Sequence, residues 1–277
     1  MTFIVILVAL LIERFFDWSH LRQWKWFNRY EHFVEHKFPG KSPYFLLAMA
    51  ILPLLVVVYV VSILMGDVFY GFGELIFDLV VLLYCLGPQN LWADAFAAIN
   101  SLVHGEKGEK IKTSRSMSDG SYSQTQRKQF LGSIFSQANS RVFAIVFWFA
   151  IFGPVGAVLY RAITLSSTGL PKKEANQEVA STARSLEGVL DWVPVRLFTF
   201  LFALGGHFVQ VLSVWRKNVL LGLSSNEMLL EECGNAALGG DSQRSESDGA
   251  LERHAISLLD RSFVIMLVIM LVLVFVV

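Results

Sequence analysis

The residues from Leu190 to Phe208, LDWVPVRLFTFLFALGGHF, set Asp191, Trp192, Pro194 and Arg196 just ahead of an apolar run that carries His207. A carboxylate, an indole and a guanidinium at such a boundary serve either as the entry of a hydrophobic helix or as the mouth of a site. Arg161 and Arg196 each stand at one end of an apolar run. An arginine there either snorkels to water or receives a phosphate or carboxylate through its planar fork of donors. His207 follows Gly205 and Gly206. A neutral imidazole in an apolar run needs a partner, and close helix packing at the glycines is one way to bring it.

Other reactive groups are sparse. No phosphate-binding GxxxxGK[ST] loop, HExxH, GxSxG or GxGxxG is present. His32 and His36 share a helical face, but no third ligand lies near them in the sequence, so no metal is implied. Asp78 lies in an apolar run one turn after Glu74; an ionisable residue in a span is a functional candidate, although the end of the run is near enough for solvation. Glu13 and Arg14 close the first apolar run as boundary anchors, and Glu13 and Arg141 are kept as candidate ligand contacts. Cys85 reads as an apolar filler and Cys233 has no assigned role; neither forms a CxxC pair.

These groups are carried by a chain suited to lipid. Of 277 residues 54% are hydrophobic and only 17% charged, against roughly 25% charged in soluble domains. The formal net charge of +0 offers no basic field for nucleic acid. The reading is an all-α integral membrane protein, a polytopic bundle of four to six membrane-embedded helices with amphipathic interfacial helices, in one domain over 1–277.

The run TFIVILVALLI reads as a retained first helix rather than a signal peptide, since it has no basic n-region before it and no small-residue cleavage site after it. Residues 14–43 are basic and aromatic, as an interfacial helix would be, and Tyr44–Met65 is the clearest span. Leu75–Leu86 returns, and 89–141 is a polar loop containing GEKGEK and TSRSMSDGSYSQTQ. Val142–Tyr160, interrupted by GPVG, spans with a kink or turns back. Ser181 or Thr182 caps a helix over STARSLEGVLDW, Val193–Trp215 is apolar, 216–261 is a polar surface loop, and SFVIMLVIMLVLVFVV anchors the end. The positive-inside rule puts the loops at 14–43 and 89–141 in the cytoplasm. The basic stretch 161–191 leaves four or six spans open.

LDWVPVRL, the stretch FWFAIFGPVGAVLYRAITL at 147–165 and ERFF at 13–16 together resemble the AmpE family, inner-membrane regulatory proteins associated with the AmpD amidase in β-lactamase induction. The likeness covers essentially the whole chain. More distantly, FWxxxxGxxGAxxYRA followed by PxRL resembles the CobD/CbiB family, which joins an aminopropanol moiety to adenosylcobyric acid. Those synthases carry acidic and Asn-containing stretches where this chain reads SQANSR at 136–141 and ITLSS at 163–167. Without those carboxylates a Mg²⁺ or nucleotide site of that kind is not expected.

The resemblance therefore implies a multi-pass inner-membrane regulator of β-lactamase expression, responsive to cell-wall status and without a cofactor, with AmpD as functional neighbour. Its implied site is a pocket for an anionic small molecule at the membrane boundary, with Arg161 and Arg196 as cations, Tyr160 and Trp192 as walls, His207 below, and Asp191, Arg141 and Glu13 nearby. A ligase-like synthase and a transporter or binder of cell-wall fragments are the competing readings.

Overall fold

The computed structural model describes residues 2–15, 24–38, 40–66, 72–86, 124–168, 174–220, 222–239 and 250–276. These residues form helices and short turns, with no strand among them. The helices are α1 (Thr2–Phe15), α2 (Lys25–Lys37), α3 (Pro43–Gly66) and α4 (Phe72–Cys85). After them come α5 (Gln124–Ala138), a π-helical turn (Asn139–Phe143), α6 (Ala144–Thr168) and α7 (Glu174–Gly205). The chain continues through α8 (Phe208–Asn218), a 3₁₀ turn (Leu223–Ser225), α9 (Asn226–Ala237) and α10 (Ala250–Val276). Most of the loop at 89–141, including GEKGEK, lies outside the described residues, as do Lys172 and Lys173.

Four helical stretches are long and apolar enough to cross a bilayer, at 43–66, 128–168, 177–205 and 253–273, and Thr2–Glu13 is a shorter apolar helix. The all-α polytopic membrane architecture expected from composition is the one found. In α3 only Leu47, Ala50 and Ile51 are buried, while Val56, Val57, Tyr59, Val60, Ile63 and Leu64 are open. A helix apolar on every side has only lipid to cover such a surface.

The chain forms two compact units, 1–88 with 140–194 and 89–139 with 195–277. In the first, α4 packs on α1, α3 and α6, and α3 packs on α2 and α6. Within α6, Gly153 leaves the helical region at φ +62°, ψ −150°, a conformation open to glycine because it lacks Cβ. A Cβ placed on Gly156 would collide with the carbonyl oxygen of Trp148. Eight residues apart in a straight helix, these groups would be separated by about 12 Å. The chain therefore doubles back at Gly153, so the stretch interrupted by GPVG turns back rather than running on as a kinked rod.

In the second unit α9 packs against α5 and α8, and α10 against α5. Phe198 meets both Phe202 and Phe263, and Phe135 meets Phe202. A Cβ on Gly206 would lie 2.7 Å from the Ala237 oxygen, the same oxygen that accepts a hydrogen bond from the His207 backbone N–H at 3.2 Å.

Several local expectations are corrected. The helix around LDWVPVRL begins at Glu174, so the stretch with Pro194 is interior to α7 and not the entry of a hydrophobic helix. Ser181 and Thr182 are not caps; their hydroxyls donate back to the Glu178 carbonyl at 2.9 and 2.8 Å, a bond Ser and Thr make inside helices. Residues 124–138 and 226–237, read as loop, are helices that bury Leu131, Phe135, Leu229 and Cys233. The final helix starts at Ala250 instead of at the apolar anchor itself.

The reversal at Gly153 depends on a missing methyl group at Gly156. Gly156→Ala should lower the thermal midpoint in detergent by an amount matching about 1–3 kcal/mol of overpacking. Gly66→Ala, whose Cβ would meet nothing within 4 Å, should leave the midpoint unchanged in the same melting experiment.

Candidate functional site

The first unit gathers a polar cluster between the returning arm of α6, where its residues are buried, and the first part of α7, where Arg184 is exposed and Glu187 and Asp191 are half-buried. Tyr160 is fully buried, and its hydroxyl donates to Asp191 Oδ1 at 2.7 Å. Two turns further along α6, Ser167 donates to Glu187 Oε2 and its backbone oxygen accepts from Arg184 Nη2 at 3.4 Å. Arg184, Glu187 and Asp191 are spaced by three and four residues, which puts them on one face of α7. Tyr160 and Ser167, seven apart, share a face of α6. The Thr164 hydroxyl between them donates to the Arg161 carbonyl at 2.9 Å.

Arg161 is 6% exposed, and its buried Nε has no hydrogen-bond partner. Its guanidinium lies within electrostatic reach of Cys85, Arg141, Tyr160 and Glu187. Arg141 comes from the π-helical turn, an irregularity that often marks functional positions in helices. A buried cation beside a second cation, with a donor left over, is an arrangement that attracts an anion.

Arg196 belongs to the second unit, separate from Arg161. Its Nε donates to the Val219 oxygen at 2.7 Å and its Nη1 to Asn226 Oδ1 at 2.9 Å. Trp215 Nε1 in turn donates to the Arg196 carbonyl at 3.2 Å. Arg196 therefore caps the C-terminal end of α8, where cations are favoured by the helix dipole.

His207 is exposed and stands in the break between α7 and α8 instead of inside an apolar helix. Its ring covers Gly239, where a Cβ would strike the imidazole. The glycine its ring packs on is Gly239 of the second unit, not the Gly205–Gly206 pair expected to bring it a partner. Trp192 is half-buried on α7 beside Asp191, and Arg141 is half-buried as well. Glu13 is 2% exposed, so it is not an anchor in contact with water.

Sequence reasoning did not single out Ser167, Arg184 or Glu187. The spacing of Arg184, Glu187 and Asp191 was the available signal. Although SQANSR and ITLSS lack carboxylates, two carboxylates from α7 face this part of α6. Among the described residues no three His, Cys, Asp or Glu side chains are gathered to hold a metal ion, and His32 instead pairs with Glu35 at 3.3 Å.

A second polar contact joins α2 to the end of α6. Burial raises the Glu31 carboxyl above the usual range, Ser166 beside it opposes this, Glu35 adds to it, and His32 opposes it. Neither Glu31 Oε1 nor Ser166 Oγ has a partner at hydrogen-bond distance.

Apolar helices sized for a bilayer define a polytopic helical membrane protein. Residues 1–277 match the family described as regulatory signalling modulator protein AmpE. The chain belongs to the AmpE family. It is also 27% identical over 196 residues to a cobalamin biosynthesis protein CobD from Stutzerimonas stutzeri, covering 69% of this chain and 63% of that protein. A CobD from Chromobacterium violaceum is 32% identical over 108 residues, 39% of this chain and 35% of the relative. The chain thus spans less than two thirds of the length of both relatives. No solved structure matches.

Two measurements test these contacts. Tyr160→Phe removes a hydrogen bond to a carboxylate and should cost about 1.5–3 kcal/mol in detergent melts. Because the folded-state pKa of Glu31 is raised, its contribution to docking α2 is complete below the unfolded pKa and lost as pH rises through the folded one. Amide exchange in α2 should quicken over that rise, and Glu31→Gln should flatten the profile.

Proposed function

We propose that this protein is an inner-membrane regulator of the AmpE type that modulates β-lactamase expression in response to cell-wall status, through an anionic small molecule received at Arg161. The observation that carries the reading is the buried Arg161 Nε without a hydrogen-bond partner, within electrostatic reach of Arg141. An entering phosphate or carboxylate would take up that donor and offset the repulsion between the two cations. Tyr160, held by Asp191, and the neighbouring Trp192 form the adjoining wall. Arg196 and His207 lie in the other unit. The AmpD amidase is the expected functional neighbour on the strength of the family.

The two CobD relatives favour a second reading, a synthase acting on cobamide precursors with ATP. The carboxylates Glu187 and Asp191 near Ser167 and Tyr160 are the groups such chemistry would use.

The experiment is complementation in a host lacking this chain, with β-lactamase induction by a β-lactam as readout. Arg161→Ala should abolish complementation at unchanged protein level, and Arg161→Lys should restore it only in part, since a single ammonium lacks the fork geometry. Normal induction by Arg161→Ala, or no effect of removing the chain, would overturn the regulatory reading. Binding of ATP or a cobamide to the purified protein, lost in Arg161→Ala, would establish the second reading in its place.

A further inference from the structure

The helix α2, KWFNRYEHFVEHK, is close to neutral by count but not by placement. Successive residues turn by about 100°, which sets Phe27 and Val34 together on the buried side. Lys25, Arg29 and His36 lie opposite and are exposed. Trp26, Phe33 and Lys37 occupy one flank, with Trp26 44% and Phe33 60% exposed. The two carboxylates, Glu31 and Glu35, occupy the other flank and are half-buried. The helix thus shows its cations to the outside and withdraws its anions. Among the described residues no ion pair engages Lys25, Arg29 or Lys37.

The position of α2 is fixed by contacts with α3, which is long and apolar enough to cross a bilayer, and with α4. Tyr30 donates to the Met49 oxygen of α3 at 3.3 Å, about 9 Å along that helix from Pro43. Trp24 and Trp26 donate to the Tyr84 backbone oxygen and hydroxyl of α4 at 3.2 and 2.7 Å. The Lys37 ammonium sits 5.6 Å over the Phe33 ring, and the Lys41 ammonium 5.9 Å over Phe45. An ammonium over a ring face is drawn to the negative face of the aromatic system.

We propose that this outer face of α2 binds the headgroups of anionic phospholipids. Lys25, Arg29 and Lys37 meet the phosphodiesters, and Trp26 and Phe33 lie among the glycerol and upper acyl groups, the depth at which aromatic side chains concentrate. An acidic protein would satisfy the cations, but a lipid headgroup layer satisfies both the cations and the adjoining aromatic flank, and α2 is already held against a membrane-crossing helix. The proposal does not depend on Arg161 or on the regulatory reading.

Native mass spectrometry of the full chain, delipidated in neutral detergent and supplied with phosphatidylglycerol or phosphatidylcholine, tests it. The wild type should retain phosphatidylglycerol in preference, and this preference should fall as sodium chloride is raised. Each basic residue near an anionic surface contributes about five-fold, so K25Q/R29Q/K37Q should lower phosphatidylglycerol affinity at least about ten-fold and leave phosphatidylcholine unchanged. R216Q/K217Q, a change at exposed cations of α8, should behave as wild type. Equal affinity of the wild type for the two lipids, an undiminished preference in the triple variant, or displacement of phosphatidylglycerol by inorganic phosphate alone would overturn the proposal.

Discussion

Hydrocarbon offers no partner to a peptide N–H or C=O, so a break in a membrane-embedded helix has to be covered by protein. That constraint governs the first unit, because α6 breaks at Gly153 and doubles back. Pro154 follows at once and is buried; lacking an N–H, it removes one donor that would otherwise go unmet. The close approach of Gly156 to the Trp148 carbonyl keeps the two arms together, and α3 and α4 pack against this helix. The returning arm then carries Tyr160, Arg161 and Ser167.

What that arm holds is costly to place in such surroundings. Taking an arginine out of water is unfavourable unless hydrogen bonds and opposite charge compensate. Here the compensation is incomplete: Glu187 is near, but so is Arg141, and one nitrogen of Arg161 lacks a partner. Arg196 shows the contrasting case. Its donors go to a helix-end carbonyl and an asparagine, a geometry that joins α7, α8 and α9 as a structural tie. Two arginines that look alike in sequence, each ending an apolar run, are thus given different environments by the fold.

The helical membrane class was legible because composition and apolar run length follow directly from the solvent the chain faces. α3 and the amphipathic α2 were legible for the same reason. The helices at 124–138 and 226–237 were not: neither QTQRKQFLGSIFSQA nor NEMLLEECGNAA is markedly apolar on average, and their buried residues are defined by partners far along the chain. Pro194 was misleading, since proline is favoured in first turns but is accommodated here inside a long helix. Of the candidate site, Tyr160, Arg161, Arg141 and Asp191 were named on the family resemblance and fall in one unit. Glu187 was missed because its spacing from Arg184 and Asp191 marks only a shared helical face, and nothing in the sequence says that this face meets Ser167.

The second unit draws its residues from two stretches separated by residues 140–194 of the first, and this sets an order on biosynthesis. Domains tend to fold as their residues emerge from the ribosome. The first unit has all its residues once Pro194 has been made, whereas α5, made earlier, has no α9 to pack against until residues 226–237 follow. For that interval Leu131 and Phe135 lack their final cover, so a stalled or truncated chain would present them to whatever proteases and chaperones watch the membrane surface.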